Sequence, residues 1–464
     1  MKSSRAEIHR RVHGVPEVRF DDHRMTSFSG LVVFQLLFKR LDLKARLRRV
    51  LGAADRGRSF GLVVVVLQLV VQVLLGFRRL RDRDYFADDP LLCRVLGLSR
   101  LPDVATLSRT LAAATAAHVE GLRRLLRELV LERLATLELA TVTLDFDGSV
   151  QSTRRHAEGS AVGYNKQRKG ARSYYPLFCT ISQTGQFLDL HHRPGNVHDS
   201  RDAESFVETM IAAVRGVLPR ARIEARFDSA FFSETLLALL ERLGVEYAVS
   251  VPFERFPGLR GRILRRTSGW KRVDDERSFI EVDWCPKSWS RSRTRRIIAV
   301  RTRRLVRRKG PLQLDLFEPR DHEYEYKVFV TNKTVNANAA LLFHNGRGNQ
   351  EATIGEGKHW AALDYVPCRC LVANQLYSIC ALLAHNLARE LQMATSKPRV
   401  TRALPSRAAM FDFSTLGTLR DLVLRRAGSL TRPANRLTLT VAATGPARQR
   451  IEHFLHNLQL QSAA

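Results

Sequence analysis

Residues 139–150 read LATVTLDFDGSV, and their reading decides the fold. Apolar and polar letters alternate with period two, as they do along a strand with one buried face. Val142, Leu144 and Phe146 fall on one side; Thr143, Asp145 and Asp147 fall on the other. The strand ends at an Asp-Gly step, a turn dipeptide. Downstream, SYYPLFCTISQTGQFLDLHHRPGN (173–196) reads as a hairpin turning at Gln183–Gly185. A helix over about 199–215 follows, then the strand ARIEARFDSA (221–230), the helix SETLLALLERLG (233–244) and the strand VEYAVSVPF (245–253). Strands followed by alternating helix and strand predict an α/β domain with a mixed central sheet.

Upstream the periodicity is helical from about residue 29 to 137, with Pro102 and the capping residues Asp103 and Thr106 dividing the stretch. Its most apolar run, GLVVVVLQLVVQVLLGF (61–77), is interrupted by Gln68 and Gln72 and is at the lower limit of a membrane span. A buried helix is expected there, and no membrane partner. RLPDVATLSRTL (100–111) suits either a DNA-reading helix or an ordinary helix start. Residues 1–28 read as a flexible basic arm.

Beyond residue 254 the composition shifts. RSRTRRIIAVRTRRLVRRKG (291–310) carries ten Lys/Arg and no acid. RIIAVRTRRLV and EYEYKVFVTN alternate like strands, so 255–335 reads as a β-rich insertion that makes the α/β domain discontinuous. Helices resume over 336–395, and 396–464 form a basic C-terminal region. The whole chain carries 75 Lys+Arg against 46 Asp+Glu, a net charge of +29. That exceeds the magnitude of about 2–8 that keeps a small domain soluble and points to a polyanion, most economically nucleic acid. Six scattered cysteines exclude a disulfide framework, and the expected compartment is the cytoplasm.

Asp147 and Asp228 each end a strand. Two hard oxygen donors at neighbouring strand ends suit Mg²⁺, while a turn and a helix cap explain the same letters. The segment HNGRGNQEATIGEGK (344–358) adds a third acid. At about 100° per residue, Arg347, Glu351 and Lys358 share one helix face. A solvated face with ion pairs has the same spacing. Gly346, Gly348, Gly355 and Gly357 disfavour a helix kept for stability alone, since each costs about 1 kcal/mol against Ala.

That segment resembles the signature Tyr-x₂-Arg-x₃-Glu-x₆-Lys of the IS4-like superfamily of bacterial DDE transposases. Arg347, Glu351 and Lys358 match it in identity and spacing. LDFDGSV looks like that family's first-aspartate motif and RFDSAFF its second. GYNKQRKGARSYYPLFCTI (163–181) and HHRPGNVHDS (191–200) are similar to the IS1380 group. Asp145 shares a strand face with Asp147; Asp147 is favoured because Gly148-Ser149 follows it. His344 stands where the signature has Tyr.

The resemblance implies an RNase H-like catalytic core, residues 138–254 and 336–395, interrupted by the 255–335 insertion and preceded by an all-α DNA-binding domain, 29–137. It implies catalytic and metal-ligating roles for Asp147, Asp228 and Glu351 around two Mg²⁺ ions, with Mn²⁺ as a substitute. The implied activity is cleavage at terminal inverted repeats and strand transfer into target DNA, by cut-and-paste and as a homodimer in the synaptic complex. A metal-dependent nuclease without strand transfer and an inactive DNA-binding relative are the alternatives. The expected DNA contacts are His344, Arg347, Lys358, Lys166, Arg168, Lys169, Arg172, Arg295, Arg296 and Trp289. Trp284 and Trp289 suit either base stacking or ordinary packing.

Overall fold

The computed structural model describes residues 15–52, 60–153, 156–163, 165, 168–197, 202–290, 295–305, 322–399 and 404–460. Lys166 and the two ends of the basic run, 291–294 and 306–310, lie outside them. Six helices come first: α1 (Leu31–Arg40), α2 (Leu43–Leu51), α3 (Leu62–Leu75), α4 (Pro90–Leu96), α5 (Val104–Ala112) and α6 (Ala116–Thr136). The apolar run is α3, buried along nearly its whole length. Asp103 caps α5 by accepting from Thr106 N at 2.6 Å.

The alternating stretch TVTLDFDG forms β1 (Thr141–Gly148). After it come β2 (Leu177–Ile181), β3 (Gln186–His191), α7 (Ala203–Val217), β4 (Arg222–Phe227), α8 (Glu234–Arg242) and β5 (Glu246–Ser250). The β2–β3 hairpin turns at Gly185, which takes a left-handed φ of 59°. β2 runs antiparallel to β1, and β3 antiparallel to β2. β4 lies parallel to β1 and β5 parallel to β4, the arrangement that helical crossovers such as α7 and α8 allow.

The 255–335 segment adds the short helix α9 (Pro257–Leu264) and the strands β6 (Arg277–Val282), β7 (Arg296–Leu305) and β8 (His322–Thr331). Its strands extend the core sheet: β8 pairs with β5, giving nine strands in the order Lys271–Arg272, β6, β7, β8, β5, β4, β1, β2, β3. The chain returns through α10 (Ala337–Asn345), α11 (Gly348–Trp360) and the long α12 (Leu371–Thr395), and ends with α13 (Gly445–Leu460).

Both faces of the sheet are covered. One packs on α7 and α8 through Val142, Leu144, Phe146, Ala225 and Phe227. On the other, Phe178, Phe187 and Leu190 join α12 and the N-terminal helices in a single hydrophobic cluster, with α3 packed along α12. This corrects the expected solvent face of β1: Thr143 and Asp145 are as buried as the apolar residues between them.

Candidate active site

The polar faces of β1 and β4 lie side by side. In register, Thr143 stands opposite Glu224 and Asp145 opposite Arg226, and the pairing of the two strands ends at Phe146 and Phe227. Asp147 and Asp228 therefore emerge at the C-terminal ends of adjacent parallel strands, where ligands bind in open α/β sheets. Asp228 also caps the turn Ser229–Phe231, its Oδ1 accepting from Ala230 N at 2.9 Å.

Beneath these ends is a network of charges that excludes solvent. Arg226, fully buried, grips the Asp145 carboxylate with Nε at 2.5 Å and Nη2 at 2.7 Å. The same guanidinium donates to Ser182 Oγ at 2.8 Å, to the Phe343 carbonyl at 3.0 Å and to the Ser406 carbonyl at 2.9 Å. Glu224 accepts from Thr143 Oγ1, Lys333 Nζ and Arg407 Nε and Nη2 at 2.6–2.9 Å. Burial opposes its charge, yet the Arg407 and Lys333 contacts hold the Glu224 carboxyl down to about 2. Asp145, the second possibility for the first ligand, is committed to Arg226 and is not available at the rim.

This network fixes the helix junction that carries the third acid. Arg226 holds the end of α10 through Phe343, and a Cβ on Gly346 would collide with the Ser406 carbonyl and the Arg226 guanidinium. Gly346 is thus explained by close internal packing, as is Gly357 against Leu363 and Phe187; Gly348 and Gly355 face open space. The α11 helix is then pinned to β1 by Gln350 Nε2, which donates to the Asp145 carbonyl at 2.7 Å. Lys358 Nζ donates to the Val150 carbonyl at 3.0 Å. Burial pushes the Lys358 ammonium down, with Asp364 and Asp147 opposing.

Arg347 joins two of the acids: Nη1 lies 3.2 Å from Asp147 Oδ2 and Nη2 lies 2.7 Å from Glu351 Oε1. The Glu351 side chain is 60% exposed, those of Arg347 and Asp147 18% and 17%. Asp147 and Glu351 therefore converge on one guanidinium, with Asp228 on the neighbouring strand end. Among the described residues no three His, Cys, Asp or Glu side chains are gathered closely enough to hold a metal ion between them.

Several expected DNA contacts are placed otherwise. His344 is 2% exposed, stacked on Phe329 at 4.6 Å and bonded through Nε2 to Ser250 Oγ at 2.9 Å. Burial holds its imidazole at about 3, so it is neutral and packed inside. Arg295 pairs with Glu241 at 2.7 Å over the Trp289 ring, and its side chain is only 6% exposed. Arg296 pairs with Glu281 at 2.6 Å and donates to the Lys333 and Val335 carbonyls. Trp289 packs on Phe232 at 4.6 Å, and with Trp284 lines a cavity of about 390 Å³ beside β7. Arg172 donates to Ser160, while Arg168 and Lys169 stand exposed on their loop.

Sequence reading missed Arg226, Glu224, Lys333, Arg407 and Gln350. A signal existed for two of them: Glu224, Arg226 and Asp228 alternate along β4 as Thr143, Asp145 and Asp147 do along β1. Nothing local announces Lys333 or Arg407.

No curated protein matches the chain. Among solved structures, it resembles a piggyBac transposase synaptic complex with hairpin DNA at 12% identity, covering 78% of this chain and 74% of that one, TM-score 0.41. It also resembles a Mos1 transposase paired-end complex with the left transposon end at 12% identity, covering 53% and 73%, TM-score 0.17. Likenesses this distant add nothing to the assignment. The family described as Transposase DDE domain group 1 matches residues 11–463, almost end to end. The chain belongs to this family of DDE transposases, enzymes that cleave and transfer DNA.

Proposed function

We propose that the chain is the transposase of an insertion sequence of the IS1380 group, within the IS4-like superfamily. It binds the terminal inverted repeats as a homodimer and moves the element by Mg²⁺-dependent cut-and-paste in the bacterial nucleoid. The observation that carries this reading is the placement of Asp147 and Asp228 on adjacent parallel strand ends, with Glu351 tied to Asp147 through Arg347. The order β3-β2-β1-β4-β5, with β2 alone running against the others, supports an RNase H-like core. The net charge of +29 supports a DNA partner.

The donors suit a divalent cation. They are hard carboxylate oxygens, and two of them already converge on a positive charge, the Arg347 guanidinium. Asp147, Asp228 and Glu351 would hold the metal ions, which when bound activate the attacking oxygen and stabilise the leaving one in an in-line displacement. Arg347 and Lys358 bind phosphates flanking the scissile bond, and the buried network beneath keeps α11 in register with β1. The test is Glu351→Gln, which should abolish strand cleavage in Mg²⁺ while binding of terminal-repeat duplex persists. Normal nicking by that variant would sink the assignment.

A further inference from the structure

Arg347 occupies an unusual position for a phosphate-binding residue. Its two terminal nitrogens are both spent on carboxylates, at 3.2 Å to Asp147 and 2.7 Å to Glu351. These are two of the three acids that the proposed function requires for metal. The pairs are of different strength. The Arg347–Glu351 pair spans one helical turn and its acid is mostly exposed, a setting in which ion pairs are weak and exchange readily. The Asp147 contact is more sheltered, with both side chains less than a fifth exposed. A cation held this way neutralises and aligns the acids, yet it can leave when a better anion arrives.

We propose that Arg347 is a tethered cation that occupies the metal site of the DNA-free protein and gives it up to DNA. It is a positioning residue: before DNA binds it gathers Asp147 and Glu351 at one point and competes with a divalent ion for them. A phosphodiester offers the guanidinium a bidentate anion. Once Arg347 turns to that phosphate, both carboxylates are released to the metal. DNA and metal affinities are thereby coupled, and the coupling is reciprocal: duplex tightens metal binding by the factor by which metal tightens duplex binding. The device keeps the divalent ion away from the acids until a substrate phosphate is in place. This rests on the carboxylates being metal ligands, as proposed above.

The experiment is calorimetric titration of MnCl₂ into the full chain and into Arg347→Ala, each alone and with a short duplex DNA. For the wild type, the duplex should tighten Mn²⁺ binding about tenfold, within the usual range of coupling between sites. For Arg347→Ala, Mn²⁺ should bind about tenfold more tightly than to the wild type without DNA, and the duplex should add nothing. Equal Mn²⁺ affinity of the two DNA-free proteins overturns the inference while leaving the metal-dependent reading intact, and so does a duplex effect of the same size in both. Failure of both proteins to bind Mn²⁺ with duplex present overturns the metal-dependent reading together with this inference.

Discussion

Two positions on β1, two residues apart, face the same way and have opposite surroundings. Asp145 is 1% exposed and gripped by Arg226; Asp147, at the strand end, is reached by solvent and by the tip of Arg347. The matching difference runs along β4, from buried Glu224 and Arg226 to half-buried Asp228. Depth along the strand, rather than residue type, separates the acids that hold the fold from those proposed to bind metal. Inside, Glu224 meets four donors and Asp145 two nitrogens of Arg226, as buried carboxylates require partners. At the rim Asp147 and Glu351 both meet the guanidinium of Arg347.

That contrast can be broken from either end. At the rim, Asp147→Asn should lower strand cleavage at least a thousandfold, about 4 kcal/mol of barrier, with a change in unfolding free energy of under about 0.5 kcal/mol. Denaturant titration beside a nicking assay separates the two effects. Inside, Arg226→Ala should cost about 3–5 kcal/mol of stability, because it strands a buried carboxylate. The double change Asp145→Leu with Arg226→Met should recover most of that loss in the same titration. Gly346→Ala is a smaller intrusion: the added methyl displaces the Ser406 carbonyl or the Arg226 guanidinium, costing about 1–3 kcal/mol as overpacking does.

The mildest probe is pH. His344 is held at about 3 against 6.5 in the unfolded chain, so below pH 6.5 the unfolded state takes up a proton that the native state refuses. Glu224, held near 2 against 4.5, contributes stability that is present above pH 4.5 and lost as pH falls toward 2. Urea midpoints should therefore decline from about pH 6.5 downward and fall more steeply below about 4.5. Glu224→Gln should remove the steeper part and keep the first.

Much of this was legible in the letters. The alternation in LATVTLDFDGSV located β1 and its apolar face, and the spacing of Arg347, Glu351 and Lys358 put them on one helix face; the fold then brings Arg347 to Asp147 and Lys358 to the Val150 carbonyl. The burial of the polar face was not legible. Its cover comes from Gln350 and from Ser406 and Arg407, more than two hundred and fifty residues further along the chain in the latter case, and no local pattern encodes so distant a contact. Arg295 and Arg296 misled for a related reason. A row of arginines looks solvent-directed until partners such as Glu241 and Glu281 are folded against it. His344 shows the limit of a motif: its position matches the signature, but its ring is spent on packing.

The contact between Ser406 and Arg226 also has a consequence in time. A chain emerging from the ribosome exposes both aspartates and the glutamate well before residue 406 has been added. Until then the arginine at the heart of the sheet lacks one acceptor, and the junction beside Gly346 lacks its neighbour. A product truncated ahead of Ser406 would carry the three proposed metal ligands without the contact that completes the scaffold beneath them.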